Sequence, residues 1–177
     1  MSVTLQNRKK RDREEKCGPE NLQKLRIATD RKGETLHVFT TPDVSKKCSE
    51  IWTLSLPTRF AFVSRSTGGR IEVSGLKGGV RIRSVAARCR LNLPGGSIDA
   101  DCGVGDIEAV VQDIAYEQVS LHTGVGDTEL TIHGYKLIRD RAPGAGDSLT
   151  LQGKGEYSIR LRSDVGDVNL IFGDRIP

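Results

Sequence analysis

A glycine–aspartate corner recurs four times in the second half of this chain, each time before a short run of β-forming residues. The corners span residues 103–106, 124–127, 144–147 and 164–167, and their final aspartates are separated by steps of 21, 20 and 20 residues. A fixed period near twenty indicates one supersecondary unit stacked on copies of itself. We therefore predict an all-β, parallel β-helix-like solenoid with coils of about 20 residues and a strand-rich N-terminal cap.

Two strands fill each predicted coil, one directly after the corner and one about ten residues later. Extending the phase backwards gives earlier corners at Arg70 and Arg88, in two steps of 18 residues that end at Asp106. Alternation of apolar and polar residues within the strands predicts which side chains face the core. The coil after Asp147 breaks this phase, because its leucines are shifted by one position. A β-bulge or a register slip is expected there.

Composition divides the chain into three segments. Residues 1–16 are nearly all polar or charged and are expected to form a disordered tail. Residues 17–66 contain β-rich runs punctuated by glycine and proline, and are expected to cap the repeats. The solenoid is expected over residues 67–177, with 17–177 forming a single domain. Only 5% of the residues are aromatic, which suits short strands and tight corners better than packed helices.

Charge and hydropathy bear on partners and location. The 27 basic and 23 acidic residues are interspersed and give a net charge of +4, so no nucleic-acid binding is expected. No apolar run approaches the roughly 18–20 residues of a membrane span, so no membrane insertion is expected. The start of the sequence carries no signal peptide, which predicts a cytoplasmic location.

Four cysteines, Cys17, Cys48, Cys89 and Cys102, match no zinc-binding spacing. Cys89 and Cys102 fall on inward positions of predicted strands, and we interpret them as buried small hydrophobic residues. Cys17 and Cys48 could form a disulfide in an oxidising compartment, whereas all four thiols would stay reduced in the cytosol.

Three features carry a resemblance: the Thr-Leu-Ser-Leu-Pro run at 53–57, the Ser-Thr-Gly-Gly-Arg-Ile-Glu-Val run that begins at Ser66, and the recurring Gly-Val-Gly-Asp corners. Together they resemble a bacterial family of adhesin-type β-strand-repeat domains of unknown function, with relatives described as autotransporter-adhesin heads. The resemblance covers residues 17–175. It implies a parallel β-helix-like solenoid and no catalytic residues. It also implies a cell-envelope or extracellular setting, as the alternative to the cytoplasm.

A row of corner aspartates is the first candidate site. If the coils stack in register, Asp106, Asp127, Asp147 and Asp167 lie about 4.8 Å apart along one edge. Neighbouring carboxylates then repel by about 3 kcal/mol at an effective dielectric constant of about 20. Either each carboxylate accepts amide hydrogens of its own corner, or the row binds cations. The period of twenty does not match the denser nonapeptide of calcium-binding β-rolls, which favours the first interpretation and predicts no metal.

The C-terminal strand is the second candidate site. Only five residues follow the run at 168–172, which is a short cap for an end coil. An under-covered end offers backbone groups and apolar side chains to a partner. Leu170, Ile171 and Phe172 are therefore expected to contact a protein partner or a second copy of the chain.

Two other charged groups favour neither ligand binding nor catalysis. The outward arginines are Arg81, Arg83, Arg160 and Arg162. In a stack built in chain order they lie at opposite ends and form no single patch within a monomer, so a solvated surface is expected. Asp99 and Asp101 share one face of a strand, but general acid–base catalysis would also need a cleft and a raised pKa.

These patterns favour a non-catalytic structural, adhesive or protein-interaction scaffold that self-associates or docks a partner through an end coil. No nucleophile–base order, phosphate-binding loop or dinucleotide fingerprint occurs, so neither enzyme activity nor a cofactor is expected. The alternative is a polysaccharide-binding or polysaccharide-active β-helix protein with a glycan ligand. The irregular segment 133–143 is expected to hold either the missing second strand of its coil or a protruding loop, and a loop there would be the place to look for a local site.

Overall fold

In the computed structural model, the described backbone covers residues 2–7, 26–32, 35–41, 50–113, 115–132, 135–137 and 146–173. Contacts divide the chain into two units, Met1–Leu56 and Pro57–Pro177. The described residues form strands, turns and bends without a helix, so the predicted all-β class is confirmed. Within these ranges, no helix has the length and apolar character needed to cross a membrane.

The first unit contains two antiparallel strand pairs. β1 (Ser2–Asn7) pairs with β4 (Glu50–Ser55), and β2 (Arg26–Lys32) pairs with β3 (Thr35–Thr41). β1 occupies part of the segment expected to be a disordered tail. Cys17 and Cys48, with their suggested disulfide, lie outside the described residues.

The second unit is a ten-stranded, nearly closed, barrel-like sheet. Its strands are β5 (Phe62–Ser74), β6 (Val80–Leu93), β7 (Ile98–Val104), β8 (Ile107–Val111), β9 (Tyr116–Val125), β10 (Thr128–Ile132), β11 (Tyr135–Leu137), β12 (Asp147–Gln152), β13 (Tyr157–Val165) and β14 (Val168–Phe172). Apolar side chains at alternate positions fill the interior, and Ile82, Leu91 and Leu121 are fully buried.

Parallel pairing arranges these strands in two ladders. The corner ladder contains, in spatial order, the second halves of β5 and β6, then β8, β14 and β10. The second ladder contains the first halves of β5 and β6, then β7, β13 and β9. Antiparallel strands end both ladders on one side, with β11 on β10 and β12 on β9. β11 lies in the segment 133–143, where either a second strand or a protruding loop was expected. Residues 138–145 lie outside the described part of the chain.

The strands do not stack in chain order. β5, β6 and the pair β7 and β8 follow one another with the offset of 18 residues seen between Arg88 and Asp106. β13 and β14 come next, at an offset of 61 residues, and β9 and β10 lie beyond them. The expected stacking in chain order is therefore wrong, and a solenoid of regular 20-residue coils is not confirmed.

Cross-strand charge gives a physical reason for this order. All coils carry similar corners, so the period alone cannot specify which coil lies beside which. β13 places Arg160 opposite Asp99 and Arg162 opposite Asp101. At the corresponding positions β9 carries Ser120 and His122 in place of the two arginines. Opposite charges directly across a strand pair are stabilising, so β13 is the better neighbour for β7.

The strand after the third of the four glycine–aspartate corners runs in the reverse direction. β12 pairs antiparallel with β9, placing Asp147 opposite Thr123 and Leu149 opposite Leu121. The one-position shift of its leucines thus reflects a change of strand direction, where a bulge or slip had been expected. A register irregularity occurs instead at Tyr157 in the pairing of β13 with β9.

Candidate functional site

Three corner aspartates lie side by side on the edge of the corner ladder, in the spatial order Asp106, Asp167, Asp127. The backbone N–H of Asp167 donates to Asp106 Oδ1 at 3.3 Å, and that of Asp127 donates to Asp167 Oδ1 at 2.9 Å. On the next strand, Arg88 Nη2 donates to Asp106 Oδ2 at 3.0 Å. These charge-assisted hydrogen bonds offset repulsion within the row.

The aspartate row differs from its prediction in two respects. The amides that bond Asp106 and Asp167 belong to the neighbouring corner, whereas amides of the same corner were expected. Asp147 is not in the row: it lies at the start of β12, is only 5% exposed, and accepts a hydrogen bond from the Thr128 hydroxyl. The described residues contain no group of three or more His, Cys, Asp or Glu side chains placed to hold a metal ion.

Inward hydroxyl groups and glycines build each corner. Ser163 Oγ donates to the carbonyl of Gly105 at 2.8 Å, and Thr123 Oγ1 donates to that of Gly166 at 2.7 Å. Gly105 and Gly166 have φ angles of 130° and 140°, which favour glycine. A Cβ on Gly105 would collide with the carbonyl of Ala87 on the adjacent strand. The second glycine of the motif is therefore a stacking requirement.

The outward side of the second ladder carries an arginine–aspartate face. It consists of Arg81, Arg83, Asp99, Asp101, Arg160 and Arg162. Asp99 lies at its centre, with Arg83 Nη2 at 2.5 Å, Arg160 Nε at 2.8 Å and Arg81 Nε at 3.4 Å from its carboxylate oxygens. Arg83 Nη1 also donates to the carbonyl of Asp99 at 3.1 Å.

The arginine–aspartate face overturns one expectation from the sequence. Arg81 and Arg160 were expected at opposite ends of the stack, but both contact Asp99 because β13 lies directly against β7. The four arginines therefore share one face, and they outnumber by one the aspartates Asp99, Asp101 and Asp164, the last of which pairs with Arg162 at 3.0 Å. The error came from assuming that coils adjacent in sequence are adjacent in space.

The electrostatics of Asp99 are opposite to those of a general acid. Partial burial acts to raise the pKa of Asp99, but hydrogen bonds from Arg83 and Arg160 hold it below its ordinary value. The hydrogen bond to Asp99 raises the pKa of Arg83 in turn. A general acid at neutral pH needs a raised pKa, so this geometry gives Asp99 the properties of a structural ion-pair partner.

The last strand is not at an end of the stack. β14 pairs with β8 along one edge and with β10 along the other, so its expected position at an uncovered end is wrong. Leu170 and Phe172 are buried, Ile171 is half-buried, and the Phe172 ring packs 5.4 Å from that of Tyr116. The chain end and the end of the stack are different places, because the last coil is inserted between earlier ones.

A row of exposed valines was missed in the sequence. Val104, Val165 and Val125 lie opposite one another on adjacent strands, and all are about half exposed. Each lies at the second position of its Gly-Val-Gly-Asp or Asp-Val-Gly-Asp corner, so the motif itself was the available signal. Val104 also lines a shallow groove of about 360 Å³ with Arg88 and Asp106.

Comparisons with protein-family models, curated proteins and solved structures found no match to this chain.

Proposed function

We propose that the chain is a non-catalytic interaction scaffold, and that its second unit is a β-solenoid with a permuted coil order. The shared 18-residue offset of the first coils supports this proposal, as does the passage of β5 and β6 through both ladders. The resemblance to adhesin-type repeats adds a cell-envelope or extracellular setting to the proposal. The scaffold acts by pairing one end of its stack with a second copy of the chain.

The choice of docking end rests on one observation, which is that the strands at the two ends of the stack differ in length and direction. Antiparallel β11 and β12, three and six residues long, end the ladders on one side. At the other end β5 has 13 residues, and among the described strands it pairs with β6 only. A long edge strand is a template for another strand. This end replaces the C-terminal strand as the proposed interface.

Glycine packing gives independent support for β5 as the end. A Cβ on Gly105 or Gly166 would collide with the adjacent strand of the stack. At Gly69, the equivalent position of β5, an added Cβ meets none of the described atoms within 4 Å. Among the described residues, the side of β5 away from β6 therefore has room for a further strand.

The pattern of β5 favours an antiparallel pairing with a second copy. Phe62 N donates to Gly79 O at 2.9 Å and Gly75 N donates to Asn92 O at 3.0 Å. Backbone N–H groups alternate in direction along each half of β5. Those of Phe62 and Gly75 point towards β6, so those of Arg65, three residues after Phe62, and Glu72, three residues before Gly75, point away from it. A two-fold axis at the corner between them places Arg65 of one copy opposite Glu72 of the other. Such an isologous interface contains the Arg65–Glu72 ion pair twice, once on each side of the axis.

Charge exchange tests this pairing. Light scattering over a concentration series should show a dimer for the wild type and about tenfold weaker association for Arg65→Glu and for Glu72→Arg. The double variant Arg65→Glu/Glu72→Arg should recover association. Val63→Lys, at a 60% exposed edge position, should weaken the dimer, while Val85→Lys, at a 66% exposed position on paired β6, should not. A wild type that stays monomeric, or equal association of all five variants, would contradict the proposal.

The arginine–aspartate face favours a second candidate function, binding of an anionic polysaccharide. Arg81 and Arg160 have side chains 65% and 60% exposed, while both still contact Asp99. Affinity for a sulfated polysaccharide should fall with added salt and with Arg81→Gln, and Arg70→Gln on the other ladder is the control. Equal affinity of these two variants would contradict a site on this face.

A further inference from the structure

Two buried thiols face each other inside the second unit. Cys89 lies on β6 in the corner ladder, and Cys102 lies on β7 in the second ladder. Neither has solvent exposure, and their Sγ atoms are 3.3 Å apart. A disulfide has an S–S distance of about 2.05 Å, so each sulfur needs to move by only about 0.6 Å. The two cysteines thus stand across the core on successive coils, at near-bonding distance.

The neighbours of the two cysteines show how unusual this contact is within the stack. In the second ladder Cys102 lies between Ser84 and Ser163, so the other positions of its row carry hydroxyl groups. In the corner ladder the neighbours of Cys89 are two isoleucines. Thiols therefore replace a hydroxyl residue in one ladder and an aliphatic residue in the other, at the positions on successive coils where the two side chains touch.

We propose that Cys89 and Cys102 form a disulfide that joins the two ladders when the chain folds under oxidising conditions. The oxidant is a small disulfide of the glutathione class. One protein thiolate attacks it, forming a mixed disulfide and releasing one small thiol. The second protein sulfur then displaces the other small thiol, and the two protein protons end on the two released thiols. The protein loses two electrons and the reagent gains them.

The bond forms during folding, before the core closes. The hydrogen bond between the two thiols raises the pKa of Cys89 and lowers that of Cys102, so resistance to oxidation depends on access to the sulfurs and not on a shortage of the reactive thiolate. Neither sulfur is reachable by solvent in the folded unit. Folded, reduced protein should therefore resist small disulfides for hours, whereas chain that refolds in their presence should be oxidised.

The test is refolding of the full chain with either oxidised or reduced glutathione. Peptic digestion at acid pH, followed by mass spectrometry, should find the Cys89 and Cys102 peptides joined and lighter by two hydrogens after oxidative refolding. Pepsin is needed because trypsin would cut on both sides of the Cys89–Arg90 dipeptide. The 13-residue separation predicts that oxidation raises the melting temperature by about 10 °C.

Two variants make the result specific. Cys102→Ser matches the serines beside it in the row, so it should fold. In the Cys17→Ser/Cys48→Ser background, Cys102→Ser should show the same melting temperature in both glutathione buffers, whereas Cys17→Ser/Cys48→Ser alone should keep the redox-dependent shift. Free thiols at both Cys89 and Cys102 after oxidative refolding would overturn the proposal. So would a joined pair that lowers the melting temperature, or a shift that persists in Cys17→Ser/Cys48→Ser/Cys102→Ser.

Discussion

Arg160 Nε lies 2.8 Å from Asp99 Oδ1, although 61 residues separate the two in the sequence. The contact joins β13 to β7 and so belongs to the step where the stack departs from chain order. Inward residues do not distinguish the alternatives, because Ile159 and Leu161 of β13 occupy the same register as Val119 and Leu121 of β9. Outward charge therefore selects among coils whose inward faces are nearly equivalent.

Reversing the charge of Asp99 should destabilise the second unit. Asp99→Lys places a fourth cation among Arg81, Arg83 and Arg160, and we expect the free energy of unfolding in urea to fall by about 2 kcal/mol. Asp101→Lys is the matched control. Asp101 is 41% exposed against 22% for Asp99, and its recorded contact with Arg83 is 3.9 Å long. A loss below about 0.5 kcal/mol is expected there. Equal losses at the two positions would contradict a central role for Asp99.

The lowered pKa of Asp99 predicts a pH dependence with a definite sign. A carboxylate with a folded-state pKa below its unfolded value stabilises the fold above that unfolded value, about 3.9, and loses the stabilisation as pH falls through the folded pKa. The difference in unfolding free energy between wild type and Asp99→Asn should therefore be largest near neutral pH and shrink below about pH 4. Urea titrations across this range check it. A difference that stays constant into strong acid would show that Asp99 acts through packing alone.

The sequence predicted the parts of this fold that depend on local chemistry. Alternation correctly placed Cys89, Cys102 and Ile107 in the core, because side-chain direction follows directly from strand geometry. Coil order was not predictable from the period, since similar corners stack on one another equally well. The sequence feature that indicates the coil order is the pairing of opposite charges between Arg160 and Asp99. It becomes visible only when strands distant in sequence are compared. The aspartate row was predicted with four members. Asp106, Asp127 and Asp167 lie in it, but Asp147 does not, because its strand runs in the reverse direction.

The corner glycines should differ in their tolerance of a side chain. Gly105→Ala combines a φ of 130° with a collision against the Ala87 carbonyl, and we expect a loss of at least about 3 kcal/mol. Gly69→Ala has a φ of 121° with no described atom in the way. Its loss should be confined to backbone strain, about 1 kcal/mol. Urea denaturation of the two variants checks the difference, and similar losses would mean that coil stacking imposes no steric requirement.

The hydrogen-bond role of the aspartate row can be separated from cation binding. Asp167→Asn keeps an oxygen that accepts the N–H of Asp127, and it removes one of the repelling charges, so stability should change by less than about 0.5 kcal/mol. Asp167→Ala removes the acceptor and should cost about 1 kcal/mol. Calcium and chelator should leave the melting temperature of the wild type unchanged. A calcium-dependent increase that Asp167→Asn abolishes would instead support a cation site.

Engineered disulfides test the permuted order directly. Glu108 lies opposite Asn169 on the adjacent strand, and Glu129 lies opposite Asn169 on its other side. Glu108 is therefore one strand, about 4.8 Å, from Asn169 and two strands, about 9.6 Å, from Glu129. Disulfides require Cα atoms within about 7 Å. Glu108→Cys/Asn169→Cys should cross-link readily under mild oxidation, whereas Glu108→Cys/Glu129→Cys should not. Stacking in chain order would give the reverse result, because residues 108 and 129 would then be direct neighbours.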